Sequence, residues 1–164
     1  MLTVLTIMGT RPEIIKMAPV VKQLDLYNDI ASVTLATRQH REMADQMFQE
    51  FNITPDIDLD IMIPNQTLGY LTSKIASEME KVFEDHRPDV LLVQGDTTSA
   101  CIAALTAFYH RIPVGHVEAG LRTYDPNFPF PEEINRQIIS RVSRFNFAPT
   151  QRARENMLGE GIDP

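Results

Sequence analysis

The run Val90-Leu91-Leu92-Val93 is apolar at every position. A strand made from it is buried on both faces, as in a parallel sheet covered by helices on either side. The rest of the chain alternates in a way that supplies such a sheet. Leu2 to Met8 is β-rich and ends at Gly9-Thr10, where the chain must turn. Pro12 then opens a helical pattern in which Ile14, Ile15, Ala18, Val21 and Leu24 recur at spacings of three and four. Pro19 removes one bond of that helix and predicts a kink or an early end. Ala31 to Thr37 reads as a second strand and Glu42 to Phe51 as a second helix. Ile57 to Ile61, alternating with acids, reads as a short or edge strand. Thr67 to His86 carries one apolar stripe (Leu68, Leu71, Ile75, Met79, Val82, Phe83), and Pro88 stops it. Beyond the buried run come a helix from Ser99 to Tyr109, a strand from Pro113 to Val117 and a helix from Pro131 to Arg144. A strand from Phe145 to Ala148 and a helix from Gln151 complete the order. Strands alternating with helices of this length require right-handed crossovers, so the expected fold is a doubly wound, Rossmann-like α/β sandwich.

One domain spanning residues 1–164 is the size that this alternation needs. With 43% hydrophobic and 23% charged residues, wholesale disorder is excluded. The formal charge of −7 argues against a general nucleic-acid or anionic-membrane surface, although a few cations at one cleft suffice for a phosphate. A single cysteine, Cys101, excludes an intrachain disulfide framework and a cysteine-rich zinc site. The first residues, MLTVLTIMGTRPE, lack a basic segment before the apolar run of a secretory signal. The stretch from Ala100 to Tyr109 is about half of what a bilayer span needs. A soluble, cytoplasmic protein is expected, without a membrane or nucleic-acid partner. The closing Gly161-Ile162-Asp163-Pro164 reads as a loop leading to a further domain.

In an open parallel sheet the ligand lies beyond the carboxyl ends of the strands. That edge carries Thr10 and Arg11 after the first strand, Arg38, Gln39 and His40 after the second, Gln94 to Thr98 after the buried run, and Glu118 after the next strand. Each residue has two readings. Asp96, Thr97 and Thr98 are ordinary helix caps or site residues. Glu118 is either paired internally with a residue such as Arg122 or offered to a ligand. Arg11 answers either a phosphate or Glu13, and Lys16, read alone, is a solvated side chain. Glu132 and Glu133 suit a helix's first turn, or one of them is presented to the cleft by the proline-stiffened loop before it. His116 reads as a satisfied core residue, the histidine spacing fits no metal motif, and no G-x-G-x-x-G or Walker loop is present.

The strings MGTRPEIIKMAPV, TRQHREMADQMF, QGDTTSA, GHVEAGLRTYD, FPFPEEINRQI and FAPT, in this order across the whole chain, resemble the bacterial non-hydrolysing UDP-N-acetylglucosamine 2-epimerases. The resemblance implies the first half of a glycosyltransferase-B-type fold, whose second, UDP-binding domain is absent from this chain. It implies interconversion of UDP-N-acetylglucosamine and UDP-N-acetylmannosamine by anti elimination of UDP to 2-acetamidoglucal and syn re-addition. No organic cofactor or metal is involved, the full-length protein is a homodimer, and the product feeds cell-surface polysaccharide synthesis. Position by position, Asp96, Glu118 and Glu132 match the family's catalytic carboxylates, with Asp96 and Glu118 also touching substrate. Arg11 and Lys16 match its nucleotide-sugar contacts. Gln39 and His40 lie where some members bind a second, regulatory UDP-N-acetylglucosamine, but Asn65 stands where those members carry an arginine. The family's histidine catalyst belongs to the second domain, so the fragment alone is expected to be inactive. The rival readings are a hydrolysing epimerase, a B-type glycosyltransferase and a non-enzymatic nucleotide-binding domain.

Overall fold

The structure is a computed structural model that describes residues 1–37, 41–61, 63 and 65–163, with residues 41 and 42 described by their backbone alone. The elements run β1 (Leu2–Met8), α1 (Arg11–Leu24), β2 (Ile30–Ala36), α2 (Arg41–Glu50), β3 (Ile57–Asp58), α3 (Leu68–His86), β4 (Val90–Gln94), α4 (Thr98–Tyr109), β5 (Val114–Val117), α5 (Glu132–Val142), β6 (Phe145–Phe147) and α6 (Gln151–Gly159). The six strands form one sheet in the order β3-β2-β1-β4-β5-β6, and every pairing is parallel. The sequence order reverses between β1 and β4, which makes the carboxyl end of that pair the switch point of a Rossmann-like sheet.

Apolar clusters cover both faces of the sheet. On one, Leu5, Ile7 and Leu91 pack with Ile75, Met79, Phe83, Ala103 and Ala107 of α3 and α4. On the other, Met8 and Ala36 meet Ile14, Met17, Val21 and Phe48 of α1 and α2. Leu91 and Val93 face the first cluster and Leu92 the second, so the apolar run is used on both sides.

Two local expectations are corrected. Pro19 does not end α1 early, for the helix continues to Leu24. Pro19, Ile15 and Lys16 share the exposed side, where water can take up the carbonyl that proline leaves without a donor. The edge strand stops at Asp58 instead of reaching Ile61. Only Ile57 and Asp58 align with β2, because Asp60 turns to φ 40° and its N–H bonds back to the Asp58 carboxylate at 3.1 Å.

Among the described residues no helix is long and apolar enough to cross a membrane.

Candidate active site

The loops after β1, β4 and β5 and the start of α5 meet at the carboxyl edge of the sheet. Beyond β4 the ladder continues for one more step, from Gly95 N–H to the Val117 carbonyl at 3.0 Å. This sets Gly95, at φ 70°, beside the end of β5, a turn that glycine takes without strain. His116 locks the same place from beneath. Its ring is fully buried, and its Nε2 lies 2.7 Å from the Gly95 carbonyl, which can only accept, so Nε2 carries the hydrogen. Nδ1 then accepts from the Ser140 hydroxyl at 3.4 Å, and burial pushes the ring's pKa down to about 4. His116 is a core residue, as the sequence suggests.

Asp96 is not the helix cap. Thr97 is, its hydroxyl accepting from Ala100 N–H at 3.1 Å, which leaves the Asp96 side chain for other partners. Helix α5 grips it twice. Asn135 Nδ2 donates to the Asp96 carbonyl at 3.0 Å, and Arg136 Nη2 donates to its carboxylate at 2.5 Å. Burial still raises the Asp96 carboxyl above its ordinary range. Arg136 opposes the rise, while the charges of Glu132 and Glu118 add to it. Asp96, Glu118 and Glu132 therefore lie within electrostatic reach of one another.

Glu118 follows β5 at φ 68°, a left-handed conformation that costs a non-glycine residue on the order of 1–3 kcal/mol. Its expected internal partner, Arg122, is engaged elsewhere in a two-pronged pair with Glu160, at 2.8 and 2.9 Å. Instead, Glu118 Oε2 accepts from Lys16 Nζ at 2.5 Å and from the amide of buried Gln94. Lys16 is thus a paired cation of the cleft, not a free surface charge. Arg11 is exposed at the first position of α1.

The two glutamates of α5 separate cleanly. Glu133 is fully buried and accepts from Thr123 N–H at 3.0 Å, Tyr124 N–H at 3.1 Å and Gln137 Nε2 at 2.9 Å. Burial pushes its carboxyl up, but these donors outweigh it and hold it below the usual range. It ties down the loop, while half-buried Glu132 takes part in the electrostatics of Asp96.

A polar hollow of about 240 Å³, lined by Arg122, Arg136, Thr150 and Arg152, adjoins this edge. An apolar hollow of about 720 Å³ lies among Phe108, Tyr109, Pro113 and Phe145, at the amino ends of β5 and β6 and away from the ligand edge of a parallel sheet.

Sequence reasoning missed Arg136, and it placed Gln94 at the edge without giving it a partner. Arg136 stands one helical turn after Glu132, a spacing at which two side chains share a helix face. Gln94 is the only polar residue at the end of an apolar strand. Gln39 and His40, with Arg38, lie outside the described residues, and the regulatory reading placed on the first two goes with them. Among the described residues no group of three histidine, cysteine or acidic side chains is placed to hold a metal.

A six-stranded parallel sheet of this order, with acidic and cationic side chains gathered at its switch-point edge, defines a Rossmann-like α/β domain. The sequence model of the UDP-N-acetylglucosamine 2-epimerase family matches residues 22–164, and the chain belongs to that family. It is 53% identical to the UDP-N-acetylglucosamine 2-epimerase of Neisseria meningitidis over 159 residues, 97% of this chain and 43% of that protein. The crystal structure of UDP-GlcNAc 2-epimerase from Neisseria meningitidis bound to UDP-GlcNAc superposes with a TM-score of 0.94 at 52% identity, covering 98% of this chain and 44% of that one. The Methanocaldococcus jannaschii enzyme in complex with UDP-GlcNAc and UDP gives 0.93 at 42% identity, over 99% and 44%. The chain spans less than half the length of these relatives.

Proposed function

We propose that the chain is the Rossmann-like first half of a glycosyltransferase-B-type, non-hydrolysing UDP-N-acetylglucosamine 2-epimerase, completed by a second domain that binds most of the uridine nucleotide. The observation that carries the reading is the gathering of Asp96, Glu118 and Glu132 with the cations Lys16 and Arg136 at the sheet's ligand edge. The greater length of the matched relatives supports the second domain. By the same resemblance the complete protein works in the cytoplasm as a homodimer, without an organic cofactor, ahead of cell-surface polysaccharide synthesis.

The chemistry asks for this set of charges. C2 of the sugar has no adjacent carbonyl to acidify its hydrogen, so the C1–O bond to UDP must break as the C2 proton leaves. Positive charge develops at C1 and negative charge on the departing pyrophosphate. Carboxylates around the ring stabilise the first, and Arg11 and Lys16 the second. The products are 2-acetamidoglucal and UDP. Return of UDP to C1, with a proton delivered to C2 from the opposite face, gives UDP-N-acetylmannosamine. Burial and its acidic neighbours push the Asp96 carboxyl upward, which suits it to carry a proton.

The test is to incubate the full-length protein with UDP-N-acetylglucosamine in deuterated water. Deuterium at C2 of a sugar still joined to UDP is the expected result. Free N-acetylmannosamine would make the protein a hydrolysing epimerase. Transfer to an acceptor without exchange at C2 would make it a glycosyltransferase, and neither outcome a binding domain. The 164-residue chain alone is expected to be inactive and to bind UDP weakly in calorimetry; tight binding overturns that part.

A further inference from the structure

A carboxylate three positions into a helix ordinarily closes only its own first turn. Glu13, 3% exposed, does more. Its Oε2 accepts from Gly9 N–H and from Thr10 N–H, each at 2.7 Å, and its Oε1 accepts from the Thr97 hydroxyl at 2.7 Å, 84 residues along the chain. That hydroxyl has its single hydrogen committed to Glu13 and takes Ala100 N–H on a lone pair. One carboxylate thus joins the starts of α1 and α4, the helices on either side of the β1–β4 crevice. Gly9 is itself closely seated, because a Cβ there would stand 1.8 Å from the Thr37 hydroxyl. The tie also answers one choice left by the sequence: Glu13 is occupied by backbone and Thr97, so Arg11 remains for something else. It further takes up the N–H groups where a phosphate would sit in an ordinary dinucleotide fold, and the adjoining Pro12 offers none.

We propose that Glu13 is a positioning residue, holding the turn that carries Arg11 against the turn that carries Asp96, so that leaving group and sugar ring are met at a fixed spacing. The inference rests on the epimerase reading for its catalytic consequence, while the tie itself is open to a test that needs no activity.

The experiment uses the full-length protein with Glu13→Ala, Thr97→Asp and Thr97→Ser. Aspartate at 97 still caps α4 but sets a second carboxylate against Glu13 in place of the hydroxyl's hydrogen, and serine keeps both bonds. Glu13→Ala and Thr97→Asp are expected to lower kcat about tenfold or more, because misaligned groups lose rate steeply. UDP affinity should stay within about threefold, since the proposed second domain supplies most of the nucleotide contacts. Thr97→Ser should keep kcat within about twofold of the parent. Amide exchange supplies the second readout. In Glu13→Ala, Gly9, Thr10 and Ala100 should lose protection together, whereas a simple cap would release the first two alone. A folded Thr97→Asp protein with unchanged kcat, or exchange confined to α1, overturns the proposal. If the parent protein shows no epimerisation, the functional reading fails and exchange alone decides the tie. If Glu13→Ala does not fold, the two threonine variants carry the same decision.

Discussion

Lys16 Nζ lies 2.5 Å from Glu118 Oε2, although 102 residues separate them in sequence. The two side chains are 44% and 25% exposed, and ion pairs in such wet settings contribute only about 0–1 kcal/mol to folding. The pair is too weakly stabilising to be explained as a strut, and its place at the ligand edge agrees with the proposed role in charge stabilisation. In the full-length protein Lys16→Met is therefore expected to lower the melting temperature by a few degrees at most, on the order of 1 kcal/mol or less. Turnover should fall by about a hundredfold, the usual scale for losing one charge-stabilising group. Loss of stability without loss of turnover would assign the pair to folding.

Glu132 and Glu133 are neighbours with opposite predicted phenotypes. Glu133 accepts backbone N–H groups on both oxygens, Thr123 on one and Tyr124 on the other. An amide in its place must point its own hydrogens at one of them. Glu133→Gln is thus expected to cost about 1–3 kcal/mol of stability, measured by urea unfolding. Glu132→Gln should unfold near the parent's midpoint and yet lose most of its turnover. The reverse pattern would move the catalytic assignment to Glu133.

Arg136 is the group that restrains the upward shift of Asp96. Replacing it with Met removes a restraining charge 2.5 Å away, so the Asp96 pKa must rise further. The limb of the kcat–pH profile that reports Asp96 is expected to move to higher pH. Arg136→Lys should move it less, because the charge remains while the guanidinium geometry is lost. A limb that stays in place in Arg136→Met would show that Asp96 does not set it.

Much of the architecture was legible because apolar period and helix punctuation are local signals. The runs at Leu2–Met8 and Val90–Val93 and the stripe from Leu68 to Phe83 each declare their element within a few residues, although Leu68 itself stays exposed at the start of α3. The site was legible in its parts but not in its pairings. Asp96, Glu118 and Glu132 stand at strand and helix ends, where sequence can place them. That Lys16 pairs with Glu118, Arg136 with Asp96 and Glu13 with Thr97 depends on strand order, which brings distant segments together. Arg122 shows the same limit: it lies four residues after Glu118, yet pairs with Glu160 from the end of α6. Pro19 failed as a stop signal because its cost depends on which side of the helix meets water.

His116 gives the fold a pH dependence of known sign. Burial is the main cause that lowers its pKa from 6.5 to about 4, so at pH 5 the folded ring is still neutral while the unfolded chain has taken up a proton. A folded pKa depressed below the unfolded value means that stability is full above pH 6.5 and is lost as pH falls toward 4, by on the order of 3 kcal/mol in total. Glu13 and Asp96, both raised, run the other way at the acid end, since folding strengthens their hold on a proton. A variant is needed to isolate the histidine. His116→Gln keeps a donor for the Gly95 carbonyl and has nothing to titrate. Urea unfolding at pH 7 and pH 5 should show the parent losing stability across that interval, with the variant's loss smaller by roughly 2 kcal/mol. Equal slopes for the two proteins would place the acid sensitivity on other groups.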